Sequence, residues 1–146
     1  PQFSRLMIHL VDDDPMIRRL HQLQLNRFGL AHLVTEAPDG RTLVKNLEAQ
    51  KNPRIAHLVL LDLNMPDFNG WDVLDYLGKA DREGQVMVAV VSSSTDVSDL
   101  QRSYEHSHVL DFIEKPLSFE ALNQLFGHEP IKSLLKKEIN LNLKQD

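Results

Sequence analysis

The sequence predicts an α/β fold, a doubly wound five-stranded parallel sheet with helices on both faces, and three observations carry that prediction. Five short apolar runs alternate with segments of helical periodicity, the βα rhythm of a parallel sheet. Two of the runs, His57 to Leu61 and Val86 to Val91, are almost continuously apolar, as strands covered on both faces must be. Four of the runs end on polar groups: Asp12-Asp13-Asp14, Asp62, Ser92-Ser93 and Lys115-Pro116. In a parallel sheet these ends share one edge, where such folds place their ligand sites.

The elements follow in order. Leu6 to Val11 is the first strand; Asp14 reads as an N-cap and Pro15 as the first residue of a helix carrying Met16, Ile17, Leu20, Leu23 and Phe28, which Gly29 stops. His32 to Ala37 reads as the second strand, Pro38-Asp39-Gly40 as a turn, and Leu43 and Leu47 as one face of the second helix. After the third strand and Asp62, the turn formers Leu63 to Gly70 lead to Trp71, Val73, Leu74 and Leu77 on a third helix, with Trp71 read as core. The fourth strand ends on Ser92, Ser93 and Ser94, and a helix around Val97 to Glu105 follows. Val109 to Ile113 is the fifth strand, and Ser118 caps a helix carrying Leu122, Leu125 and Phe126. Gly127 and Pro130 interrupt the pattern before a last amphipathic stretch, Ile131 to Leu143.

Composition narrows the function classes. A chain of 146 residues is one domain by size and long enough for a core without staples. The absence of cysteine excludes disulfides and thiol chemistry and fits a reducing compartment. Lys+Arg 16 against Asp+Glu 21 gives a net charge of −5, which argues against nucleic acid or anionic membrane as a partner. No segment has the length of a membrane span or the flanks of a signal peptide, so the expected location is the cytoplasm.

The four strand ends together describe a pocket rich in carboxylates, with one hydroxyl and one ammonium. That inventory suits a divalent cation and a phosphoryl group, with a carboxylate as nucleophile. In isolation each motif also fits an ordinary role: the aspartates as solvated caps, the serines as loop, Lys115 as a turn lysine. Their coincidence at successive strand ends favours the site. Asp14 is left as a cap, and His106 and His108, two residues apart beside a short strand, give only a weak metal signal.

Five marks in order, Asp12-Asp13, Asp62 with Asn64-Met65-Pro66 and Gly70 behind it, Ser92, Phe112, and Lys115-Pro116, resemble the receiver domain of bacterial two-component response regulators. The resemblance covers about Leu6 to Phe126 and is to the stand-alone, chemotaxis-regulator-like type. It implies a flavodoxin-like fold, with Asp62 as phosphoacceptor and with Mg²⁺, or Mn²⁺ in its place, held by Asp12, Asp13, Asp62 and the Asn64 main-chain carbonyl. It also implies that Ser92 and Lys115 contact the phosphoryl oxygens and that Ser92 and Phe112 form the switch. Where the family most often has threonine, Ser92 lacks the methyl group and has freer rotamers. The implied protein is not a conventional enzyme, though it catalyses its own phosphorylation and dephosphorylation at Asp62. Its implied partners are a sensor histidine kinase or histidine phosphotransfer protein and a downstream protein target.

Two other classes compete. A haloacid-dehalogenase-like phosphatase would use Asp12 as nucleophile and Asp14 as acid/base, but Pro15 breaks its motif and no acidic pair follows Lys115 on a later strand. A receiver cut from a DNA-binding regulator would need an effector domain, and the stretch after Phe126 is too short and nearly neutral. The expected organisation is therefore a receiver at 1–127 and an amphipathic extension at 128–146 with no effector domain. In that extension Ile131, Leu134, Leu135 and Ile139 share one side of a helix. The segment is expected either to fray or to dock, on the receiver itself or on a second copy as a homodimer.

Overall fold

Apolar runs separated by capped helices assemble as expected. The computed structural model describes residues 3–80, 82, 84–93 and 96–145, with side chains described as far as Glu138. The elements are β1 (Arg5–Val11), α1 (Pro15–Arg27), β2 (Val34–Ala37), α2 (Gly40–Ala49), β3 (Ile55–Leu61), α3 (Gly70–Ala80), β4 (Val86–Ser92), α4 (Val97–Tyr104), β5 (Val109–Glu114), α5 (Phe119–Leu125) and α6 (Ile131–Gln145). The strands form one parallel sheet in the order β2-β1-β3-β4-β5. This is the flavodoxin-like order, whose direction reverses between β1 and β3 and opens a crevice beyond their carboxyl ends. β3 and β4 are buried along their whole length, which is why their sequences do not alternate.

Alternate residues of each strand feed two separate cores. Leu6, Ile8 and Leu10 of β1 join Leu25 of α1, Leu122 and Leu125 of α5, and Ile131, Leu134 and Leu135 of α6. Val11 joins Leu43 and Leu47 of α2 and Val73, Leu74 and Leu77 of α3. The helix starts are fixed by side-chain caps that satisfy otherwise unpaired N–H groups. The Met16 N–H donates to Asp14 Oδ1 at 2.9 Å, the Thr42 N–H to Asp39 at 2.7 Å and the Ala121 N–H to Ser118 at 3.1 Å. At α3 the cap is reciprocal, Asn69 and Asp72 each accepting the other's N–H at 3.0 and 2.9 Å.

Three details differ from the sequence reading. The second strand is shorter: Ala31–Leu33 close a single 3₁₀ turn, leaving only Val34–Ala37 to pair with β1. The first helix is turned from the expected face. Met16, Leu20 and Leu23 point outward, Met16 with 71% of its surface exposed, while His21 and Leu25 are the buried positions. Trp71 is half-buried rather than core, packed beside the second cluster with the Arg102 guanidinium 4.0 Å from its ring centroid. Ser94 and the side chain of Ile139 lie outside the described residues.

Two histidines lie where aliphatic residues are usual. His9 on β1 and His57 on β3 are fully buried, with His9 Nε2 and His57 Nδ1 hydrogen-bonded at 2.9 Å. Burial, then the neighbouring imidazole and the charge of Arg82, lower His9 to about 3. Burial and Arg82 lower His57 to about 4. Both are neutral at physiological pH. Among the described residues, His9 Nδ1 has no hydrogen-bond partner.

α6 packs along the first core. Ile131 is fully buried and Leu134 and Leu135 nearly so, against a cluster that Phe3 also joins. No described helix is long and apolar enough to cross a membrane.

Candidate acidic phosphoryl site

The crevice at the β1/β3 switch point is built from backbone hydrogen bonds that continue the sheet. The Asp12 N–H donates to the Ala37 carbonyl at 3.2 Å, and the Asp62 N–H donates to the Val11 carbonyl at 3.0 Å. Each aspartate is thus held one residue beyond its strand, with its side chain at the sheet edge. Both are nearly inaccessible, Asp62 at 3% and Asp12 at 4% exposure, whereas Asp13 is exposed. The chain turns away after Asp62 by packing the start of α3 against it. A Cβ at Gly70 would lie 2.5 Å from the Asp62 carbonyl and 2.7 Å from Leu63 Cα, so only glycine fits there.

Asp12, Asp13 and Asp62 each offer a carboxylate oxygen, and these atoms all lie within 4.8 Å of one another. All are hard oxygen donors, the set that Mg²⁺ or Mn²⁺ prefers. Neither His106 nor His108 belongs to this group. Lys115 Nζ reaches both buried acids, 2.6 Å from Asp12 Oδ2 and 3.2 Å from Asp62 Oδ1. Asp12 Oδ1 accepts the Asp14 N–H at 2.9 Å, so both oxygens of Asp12 are engaged. Among the described residues, the hydrogen bonds to Asp62, from Lys115 and from the Asn64 N–H at 3.2 Å, fall on Oδ1.

The electrostatics follow from this crowding. Burial, and then the charge of Asp12, push the Asp62 carboxyl above its ordinary value, and Lys115 and the Asn64 N–H only partly offset them. Burial alone would lower the Lys115 ammonium, but its hydrogen bond to Asp12 and the charges of Asp62 and Asp12 hold it above the ordinary lysine value. One ammonium faces three carboxylates. The surplus negative charge suits a cation rather than a free anion.

The structure brings the sequence-selected residues to one edge. Ser92 is the last residue of β4 and buried, and its carbonyl accepts the Lys115 N–H at 2.9 Å. Phe112 lies on β5 opposite Val90, half-buried against the second core. Asn64 is exposed in the loop after Asp62. Sequence reasoning missed two residues of α1. Arg18 Nη1 donates to the Asp12 carbonyl at 2.7 Å while its Nε pairs with Glu36 at 3.1 Å, and His21 Nε2 accepts the Leu117 N–H at 3.2 Å. The signal was their 3-4 spacing with Leu25, which puts all three on one helix face.

Comparison with known proteins agrees with this geometry. The family model for the response regulator receiver domain matches residues 8–126. The chain is 31% identical over 120 residues to the probable methanogenesis regulatory protein FilR2 of Methanothrix harundinacea, covering 81% of this chain and 77% of that protein. It is 30% identical over 133 residues to the nitrate/nitrite response regulator protein NarL of Escherichia coli, covering 86% of this chain but 57% of NarL. A crystal structure of a two-component response regulator from Cytophaga hutchinsonii superposes with a TM-score of 0.71 at 25% identity, covering 85% of this chain and 96% of that one. With its five-stranded parallel sheet and residues 8–126 matched by that family model, the chain belongs to the response regulator receiver family of two-component systems.

Proposed function

We propose that Asp62 accepts a phosphoryl group from a phosphohistidine donor and that the resulting charge reshapes the surface around β5. The observation that carries the choice of Asp62 is the occupancy of the two buried acids. Asp12 has both oxygens engaged, whereas the hydrogen bonds of Asp62 fall on Oδ1 and leave Oδ2 to attack. The same observation weighs against Asp12 as nucleophile in a phosphatase reading. Asp12, Asp13, Asp62 and the Asn64 main-chain carbonyl would hold Mg²⁺, with Mn²⁺ as a substitute. Bound there, the ion supplies positive charge that offsets the repulsion between a carboxylate and a phosphoryl dianion. Lys115, already beside Asp62, stabilises charge on the transferring oxygens. Ser92, short and buried at the end of β4, would donate a hydrogen bond to one of them once the phosphoryl group is present.

Incubation with acetyl phosphate and Mg²⁺ is expected to add one phosphoryl group, trapped at Asp62 by borohydride. Labelling should disappear in Asp62→Asn and be suppressed by EDTA. Unchanged labelling of Asp62→Asn would sink the assignment.

The donor is a sensor histidine kinase or a histidine phosphotransfer protein, met in the cytoplasm, and the output is contact with a downstream protein or a second copy of the chain. Ser92 moving toward the phosphoryl group would let Phe112 turn inward, changing the α4–β5–α5 surface. Beryllofluoride with Mg²⁺ is expected to shift NMR resonances as far as Phe112 and Tyr104. Shifts confined to residues around Asp62 would exclude that route.

A further inference from the structure

We infer that His21 is a positioning residue for Lys115, acting through the main chain of the loop that carries it. Lys115 must place its ammonium between two buried acids, yet it sits at the end of a strand, followed by Pro116. Its own N–H is tied to the Ser92 carbonyl at 2.9 Å. Pro116 has no N–H, so it adds no tie. The next donor along the chain is the N–H of Leu117, and its acceptor is the His21 ring nitrogen Nε2 at 3.2 Å. Both residues are buried, so neither group has water as a substitute partner.

The loop is thus pinned on one side to β4 and on the other to α1. The pin on α1 requires a lone pair on Nε2, which only the neutral ring with its proton on Nδ1 presents. Burial keeps the ring in that form, lowering His21 to about 4 against the opposing effect of Asp12. α1 is a sound anchor because one turn earlier Arg18 grips the Asp12 carbonyl at 2.7 Å. One helix face therefore holds both the acid and, through Leu117, the base of the 2.6 Å Asp12–Lys115 pair. An aliphatic residue at position 21 would fill the space but strand the Leu117 N–H, and relief of that cost would move the loop and with it Nζ.

The inference rests on the Asp62 phosphotransfer reading for its functional consequence but not for its geometry, and the test separates the two. Three proteins are compared: wild type, His21→Leu, and His21→Gln, whose side-chain oxygen reaches about as far as Nε2. Should His21→Leu fail to fold, His21→Asn, too short to reach Leu117, takes its place. The first readout is the titration of the Lys115 ammonium followed by NMR, which needs no phosphoryl transfer. The expected result is a midpoint displaced in the leucine variant and returned to the wild-type position in the glutamine variant. The second readout is labelling by acetyl phosphate with saturating Mg²⁺, expected to slow about 10- to 100-fold in the leucine variant, as for a misplaced catalytic group. It should recover in the glutamine variant. A Lys115 titration identical in all three proteins overturns the inference, as does a glutamine variant no better than leucine in either readout. Failure of the wild type itself to label would refute the Asp62 reading, leaving the inference to stand or fall on the titration.

Discussion

Acid is expected to unfold this protein at pH values where an ordinary histidine gains its proton. His9, His21 and His57 are buried and neutral, lowered to about 3, about 4 and about 4. In the unfolded chain each binds a proton near its ordinary value of 6.5. Between pH 6.5 and about 4 the unfolded state therefore holds more protons than the folded one, and stability falls as pH falls. At pH 5 each histidine contributes a loss on the order of 1–2 kcal/mol, and three together approach the roughly 5–15 kcal/mol net stability of a domain. Asp62 works in the opposite sense, because its raised carboxyl sheds an unfavourable charge on protonation. Urea unfolding at pH 7 and pH 5 measures the difference, and His21→Gln should remove about a third of it. A midpoint flat between those values would show that these imidazoles titrate as free ones do.

Truncating Ile131 is expected to weaken the whole domain although it lies beyond the last helix of the α/β repeat. The side chain is fully buried in the core that β1, α1 and α5 share. Ile131→Ala should cost about 2–4 kcal/mol, the range for deleting a core isoleucine, and lower the melting temperature by roughly 5–15 °C. Leu134→Ala should act in the same direction, and Lys132→Ala, on the exposed side of α6, should change little. A cooperative thermal melt that Ile131→Ala leaves in place would mean that α6 frays in solution.

The strands and the acidic edge were legible because a buried parallel strand needs an unbroken apolar run, and where the run stops the chain must be at the sheet edge. That logic located Asp12, Asp62, Ser92 and Lys115 from their neighbours alone. It failed on α1, where Met16, Leu20 and Leu23 have the right spacing for a core face and yet point outward. The face actually buried includes a histidine whose value is a hydrogen-bond acceptor, and hydropathy is blind to that. The His9–His57 pair was equally hidden, since β1 and β3 bring together residues 48 apart in sequence and only strand register specifies the neighbour. The second strand was overread at His32 and Leu33 because Leu33 is apolar for a 3₁₀ turn that covers the core edge, not for pairing.

The burial of the strands also fixes where the molecule can yield. Every residue of β3 and of β4 is buried, so Asp62 and Ser92 stand on the stiffest part of the sheet. β5 is different: four of its six residues are partly or fully exposed, and its pairing with β4 is already dislocated by a bulge after Val88. Tyr104 at the end of α4 is tied to it by a long 3.5 Å bond to Asp111, the residue whose carboxylate also caps the Phe112 N–H at 2.8 Å. In hydrogen-exchange terms, amides of β3 and β4 should open only when the whole domain does, while those of β5 and α4 open by smaller, more frequent excursions. A charge set down on the rigid strands has its softest neighbour on that side, and Lys115 joins the two. Signal direction is in this sense a property of compliance: the displacement goes where the amide lattice is weakest.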